Sequence, residues 1–201
     1  IIKGSFFFNF FIFVCFFFTE YEWHMMTKKK NYHIIGYLFL IFSFYCAYLL
    51  RNIDNDEGGL FFLLVIVVCV SSDIGGYVFG KIFKGPKLTK VSPNKTYSGM
   101  VGGFLLSIIS INFYIYYAEK YLNKNTEFTI EAFIMVILIS SISQCGDIII
   151  SYFKRLSKIK DTGKIIPGHG GILDRIDGMI FAIPFTYLIL ISGIFEWKKK
   201  L

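Results

Sequence analysis

Charge is scarce in this chain. Only 17% of its 201 residues are Asp, Glu, Lys or Arg, against about a quarter in a soluble domain. Acidic residues are the scarcer sign, 14 against 21 basic ones, for a net charge of +7. In their place stand 55% hydrophobic and 19% aromatic residues, with a mean hydropathy of +0.58. That balance excludes an ordinary soluble domain and reads as an integral membrane protein. Cysteine is also sparse. Cys15, Cys46, Cys69 and Cys145 all fall inside apolar runs and none forms a C-x-x-C pair, which argues against a disulfide framework or a zinc site. No internal repeat is visible. The length fits one domain over residues 1–201.

What is present in abundance is apolar sequence in long stretches. Six runs approach the roughly 20 residues that a spanning helix needs: about Ile1–Phe18, Tyr32–Leu50, Gly58–Phe79, Tyr97–Tyr117, Thr129–Tyr152 and Gly178–Phe195. The expected fold is therefore all-α, a polytopic membrane protein of about six transmembrane helices. The first run begins without methionine and lacks a small-residue cleavage site before "TEYEWHMM", so it reads as a helix left from a longer N-terminal region rather than as a signal peptide.

Lysine and arginine alternate between the loops. Residues 24–31, 81–95 and 154–177 carry fourteen, whereas residues 51–57 and 118–128 carry three. Basic loops mark the cytoplasmic side, so the excess charge reads as topology and as attraction to anionic lipid heads, not as a nucleic-acid footprint. Six spans would leave Lys198–Lys200 on the opposite side, against the rule; a re-entrant segment would resolve that.

Polarity enters the membrane at two places, and an ionisable residue within a span is a functional candidate by default. In "VCVSSDIGGYVFGKIF", Asp73, Tyr77 and Lys81 follow each other at helical spacing. In "SSISQCGDIIISYFKR", Gln144, Asp147, Ser151 and Lys154 form one stripe. Together they suggest a polar cavity open to the cytoplasm and holding both carboxylates and ammonium groups. Gly75–Lys81 resembles a phosphate loop, but Ile82 replaces the hydroxyl that would hold magnesium, and the context is the end of a membrane helix. The glycines read instead as sites of close helix packing. In the basic loop that follows, Ser92, Lys95 and Thr96 precede the fourth run. They read either as a capped interfacial turn or as an anion site at a helix start.

The densest polar stretch is "KRLSKIKDTGKIIPGHGGILDRID", residues 154–177. Its glycines and Pro167 forbid a continuous helix. Asp174 and Asp177 share a face at the start of the last run. With Asp161 and Asp147 they offer oxygen ligands to a hard cation such as magnesium, whose shell is completed by water and substrate phosphates. Lys154, Arg155, Lys160 and Arg175 would neutralise those phosphates. Both signs crowded together suit a metal–polyphosphate complex. His169 stands between glycines as a proton donor, a phosphate ligand or a structural hydrogen-bonder, and spacing leaves these open.

The pattern S-x-x-K-R-x(4)-K-D-x-G-x(3)-P-G-H-G-G-x-x-D-R-x-D runs unbroken from Ser151 to Asp177. It resembles the signature of the phosphatidate cytidylyltransferases, the CDP-diacylglycerol synthases. "QCGD" at 144–147, "SPNKT" at 92–96, "SSDIGGYVFGK" at 71–81 and the early "EW" at 22–23 extend the resemblance over roughly residues 20 to 190. Ser98 departs from it where many members carry an acidic residue, and the chain has fewer N-terminal helices than typical members.

The resemblance implies a bacterial inner-membrane enzyme with its site facing the cytoplasm. It would make CDP-diacylglycerol and pyrophosphate from CTP and phosphatidate with magnesium. A second cation and a homodimer stay open. By the same resemblance the metal falls mainly on Asp147 and Asp174, with Asp161 and Asp177 near it, and Lys160 and Arg175 share the catalytic group. Lys154, Arg155, Ser92, Lys95 and Thr96 would hold phosphates, with Asp73, Ser151 and His169 as further substrate contacts. Two other readings stay on the table. One is a transporter or cation channel built on Asp73 and Asp147, and the other is an inactive homologue. A CDP-alcohol phosphotransferase is discounted, because its D-G-x-x-A-R motif is missing.

Overall fold

The computed structural model describes residues 5–53, 58–122, 129–165, 167–168 and 170–194. They form seven helices: α1 (Ser5–Thr27), α2 (His33–Arg51), α3 (Gly58–Phe83), α4 (Tyr97–Leu122), α5 (Ile130–Leu156), α6 (Leu173–Ile176) and α7 (Met179–Ser192). The first five are long and apolar enough to cross a membrane. The all-α, multi-pass expectation is met; of the six expected runs, five give such helices among the described residues and the last gives a shorter apolar helix. The run from Gly178 yields a helix of only 14 residues, which rises about 21 Å at 1.5 Å per residue. Gly193, at φ 69°, ends it in the left-handed region. The tail Lys198–Lys200 lies outside the described residues.

Helix α1 also departs from its expected end at Phe18 and continues to Thr27. Two of its hydroxyls satisfy themselves. Thr19 and Thr27 donate to the carbonyls of Cys15 and Trp23 four residues back, both at 2.7 Å, so neither hydroxyl costs a bare donor in apolar surroundings. Phe6, Phe7, Phe10, Phe13 and Phe17 are exposed and face the lipid.

Helix α3 is apolar nearly all round, as a helix in the middle of a bundle should be. It packs against α2, α4, α5 and α7. Phe61, Leu64, Val65, Val68 and Cys69 are fully buried there, against Leu50 of α2, Ile111 of α4, and Met135 and Ile139 of α5. Its C-terminal half meets α4 backbone to backbone. A Cβ on Gly99 would lie 2.6 Å from the Gly76 carbonyl oxygen, and one on Gly75 would strike the carbonyl of Gly102. Small residues allow this approach.

Helix α7 contains Pro184, whose ring nitrogen has no hydrogen to give the carbonyl of Ile180. The hydroxyl of Ser43 on α2 donates to that carbonyl instead. On its other side the α6–α7 junction presses onto α5, where a Cβ on Gly146 would come within 2.6 Å of the Phe181 ring. This contact brings Asp147 and Asp177, each the chain neighbour of a small residue in that contact, to the same place.

Candidate active site

A cavity of about 430 Å³ opens among α3, α4, α5, α6 and the 84–96 connection. The connection folds back on itself through a bridge between Lys87 and Thr96, with Leu88 N–H on the Lys95 carbonyl at 2.8 Å. Thr96 then caps α4, its hydroxyl accepting from the Gly99 N–H at 3.1 Å. This turn delivers Ser92, Lys95 and Thr96 to the cavity wall, where Asp73, Asp147, Lys154, Asp161, Asp174, Arg175 and Asp177 join them. Ten of the fourteen residues expected at a site therefore line one cavity.

The other four stand elsewhere. Ser151 is buried behind Asp147 and donates to its Oδ1 at 3.3 Å. Arg155 is turned to the end of α5, where its guanidinium donates to the Ile159 carbonyl at 3.1 Å. Lys160 is exposed and off the cavity lining. His169 lies outside the described residues. Lys81 is drawn outward over the Tyr77 ring, 5.6 Å from its centroid, while Tyr77 itself lines the cavity.

Two charged clusters organise the site. In the first, Lys95 pairs with Asp147, and the Asp147 and Asp177 carboxyls are within hydrogen-bonding contact, with Asp73 close enough to act on Asp177 through its charge. Burial, then the charges of Asp147 and Asp73, push the Asp177 carboxyl well above the usual carboxylate range, against the pull of Lys154. In the second, Lys154 Nζ meets Asp174 Oδ1 at 2.8 Å, with each side chain about a tenth exposed (10% and 8%). Asp174 Oδ2 accepts the N–H groups of Thr162 at 2.8 Å and Gly171 at 3.0 Å. Burial opposes ionisation of Asp174, but these three donors outweigh it and hold the carboxyl below its ordinary value.

Beneath the charges lies a hydroxyl and amide floor that composition does not single out. Gln144 Nε2 lies 3.2 Å from Ser72 Oγ and 3.3 Å from Ser140 Oγ. Ser72 and Ser140 are 2.9 Å apart. The buried Ser107 continues the set to the Val68 carbonyl at 3.2 Å. These serines sit among apolar residues with only helical phase to mark them. A second unassigned group, Glu22, lies outside the cavity, and its only sequence signal was the early Glu-Trp pair.

Among the described residues, no group of three or more His, Cys, Asp or Glu is arranged to hold a metal ion. Of the four aspartates expected at or near the cation, all line the cavity, with Asp174 turned to Lys154 and two backbone N–H groups. The pair Asp147–Asp177 nevertheless fits magnesium, which takes one or two carboxylates and leaves the rest of its shell to water and phosphates. Five carboxylates against three cationic side chains line the cavity.

Fold and cavity thus define a polytopic helical membrane protein with a cavity lined by charges of both signs. The comparisons with known proteins agree. The chain belongs to the cytidylyltransferase family, whose model matches residues 1–192. It is 37% identical over 173 residues to the phosphatidate cytidylyltransferase of Rickettsia typhi, covering 83% of this chain and 73% of that one. It is 37% identical over 174 residues to the enzyme of the same name from Rickettsia prowazekii, covering 84% and 74%. Similarity to the Staphylococcus haemolyticus phosphatidate cytidylyltransferase is 38% over 140 residues, covering 69% and 52%.

Proposed function

We propose that this protein is a phosphatidate cytidylyltransferase of a bacterial inner membrane, working from the cytoplasmic face. The observation that carries the reading is the cavity wall itself. Lys95, Lys154 and Arg175 stand beside five aspartates, at the ends of helices that cross the membrane. The family membership and the names of the relatives support the reaction. The alternation of basic loops supports the orientation.

In the reaction, an oxygen of the phosphatidate phosphate bonds to the α-phosphorus of CTP. The bond from that phosphorus to its bridging oxygen breaks, and pyrophosphate leaves. Both reactants are anionic, so the protein's contribution is in-line positioning and charge neutralisation. Lys95 on the 84–96 connection and Lys154 and Arg175 on the opposite wall supply positive charge from two sides. Asp147 and Asp177 would hold magnesium, which supplies charge neutralisation to the phosphate oxygens when bound. Ser151 steadies Asp147. The acyl chains of the lipid stay in the bilayer while its head group reaches the cavity.

The test is product formation. Purified full chain in detergent, given phosphatidate, magnesium and labelled CTP, is expected to yield labelled CDP-diacylglycerol. Asp147→Asn is expected to yield none while inserting normally. Absence of product from the wild-type chain refutes the reading, and wild-type rates in the variant remove Asp147 from the site.

A further inference from the structure

Helix α1 carries two carboxylates, Glu20 and Glu22, and Glu22 is the one that reaches the connection behind the cavity. Glu22 is 1% exposed and does not line the cavity. Among the described residues its hydrogen-bond partners are three donors, none of them a cationic side chain. Oε2 accepts the Thr162 hydroxyl at 2.9 Å and the Leu173 N–H at 2.8 Å. Oε1 accepts the Ile172 N–H at 2.9 Å. An ionised carboxylate taken out of water is tolerated when it is well hydrogen-bonded, and a carboxylate accepts without ever presenting a proton to its donors.

The donors come from two points in the connection between α5 and α6. The same two points are held from the cavity side by Asp174, through the N–H groups of Thr162 and Gly171. Thr162 is thus a shared node, giving its hydroxyl to Glu22 and its N–H to Asp174. The connection is moulded closely around the Glu22 carboxyl. A Cβ on Gly163 would sit 2.6 Å from Oε1, and one on Gly171 would strike Oε2. Thr162 follows Asp161 in the chain and Leu173 precedes Asp174, so two of the three groups that Glu22 grips belong to residues adjacent to an acid of the cavity wall.

The support behind Glu22 is firm. The next residue, Trp23, is 3% exposed and donates through its indole to the His33 carbonyl at 3.0 Å. Its ring fills the space beside Gly36 of α2 and packs on Phe153 of α5, with centroids 5.4 Å apart. Supporting groups mounted on a rigid element are what fix a reactive constellation.

We propose that Glu22 is a positioning residue. From outside the cavity it holds the 161–174 connection in the shape that presents Asp161, Asp174 and Arg175 to the substrate phosphates. The proposal rests on the cytidylyltransferase reading above. Glu22→Gln keeps the shape but has one acceptor oxygen, and it aims an NH₂ group at N–H or O–H donors. It is expected to lower kcat about 10- to 100-fold, the usual range for lost supporting contacts, with little change in the melting temperature. Amide exchange at 162 and 171–173 is expected to quicken. Glu22→Asp, which keeps the charge and both oxygens, is expected to recover part of kcat, and Thr162→Val to move kcat and exchange in the same direction by less.

Wild-type kcat and exchange in Glu22→Gln overturn the proposal. So does a loss of activity that merely tracks the folded fraction, or Glu22→Asp impaired as deeply as Glu22→Gln. If Glu22→Gln does not fold, Thr162→Val decides, with unchanged kcat and exchange refuting the role. A wild-type chain without product refutes the reaction and any catalytic part for Glu22. Product with unaltered Glu22→Gln kinetics refutes the positioning role alone.

Discussion

Replacing Asp174 by asparagine separates what its two oxygens do. Oδ1 receives the Lys154 ammonium at 2.8 Å, and Oδ2 receives the Thr162 and Gly171 N–H groups. An asparagine has one acceptor oxygen. If it faces Lys154, its NH₂ meets two backbone donors; if it faces those donors, its NH₂ meets an ammonium that is buried with it. Either way Lys154 keeps its charge without a counter-ion on that residue. Breaking a buried pair from one side costs about 3–5 kcal/mol. At roughly 2–4 °C per kcal/mol for a chain of this size, the melting temperature is expected to fall by about 6–20 °C. Lys154→Met works from the other side and leaves Asp174 its two backbone donors, so its cost is expected to be smaller, about 1–3 kcal/mol for a charged group that keeps part of its hydrogen bonding. The double variant is expected to lose less than the sum of the two, because the groups share one interaction. The measurement is thermal unfolding of the three variants in one detergent. An Asp174→Asn chain that melts within about 2 °C of wild type, or losses that simply add, would refute this account of the pair.

Other expectations follow from the same geometry. Gly99→Ala puts a methyl 2.6 Å from the Gly76 carbonyl oxygen, where only backbone stands to yield. A cost of about 1–3 kcal/mol is expected for such overpacking, measurable as a lower melting temperature. The Asp174 carboxyl is held below its ordinary value. Its stabilisation is therefore complete above the unfolded value of about 3.9 and is lost as pH falls through the folded one. Melting curves should show this part of the stability unchanged from pH 5 to 8, with Asp174→Asn losing part of the steep acid fall. Asp177 has the opposite sign. Its carboxyl is held well above the ordinary range, so its contribution is full below the unfolded value and is lost as pH rises through the folded one. Without divalent cation, Asp177→Asn is expected to melt higher than wild type at pH 8 and to lose that advantage toward pH 4, while making no product. A variant that melts lower at pH 8 would contradict the crowding of carboxylates described here.

The spans were legible in the sequence because each is an apolar run bounded by charge, and helix α3, apolar nearly all round, sits at the centre as that pattern demands. Boundaries were less legible where polar residues turn inward. Thr19, Glu22 and Thr27 read as the exit of α1 from the membrane, yet each is buried and the helix continues through them. In the last run composition does not reveal that its helix would close at Gly193. Most of the site was readable from charge placed against hydrophobicity, since Asp73, Asp147 and Lys154 interrupt apolar helices at one phase. Density alone does not separate Arg155 and Lys160, which stand off the cavity lining, from Asp161, which is on it. Glu22 was beyond the reach of local pattern, because its partners lie 140 to 151 residues further along the chain.

The glycine contact between α3 and α4 has a mechanical consequence. Where two backbones touch directly, there is no layer of side chains to change rotamer and let one helix slide past the other. Ser72, Asp73 and Tyr77 on α3, and Lys95 and Thr96 at the head of α4, therefore share a single frame, one fixed jaw of the cavity. The opposite jaw, α5, is tied to that frame by side chains rather than by touching backbones, Gln144 reaching Ser72 and Lys95 reaching Asp147.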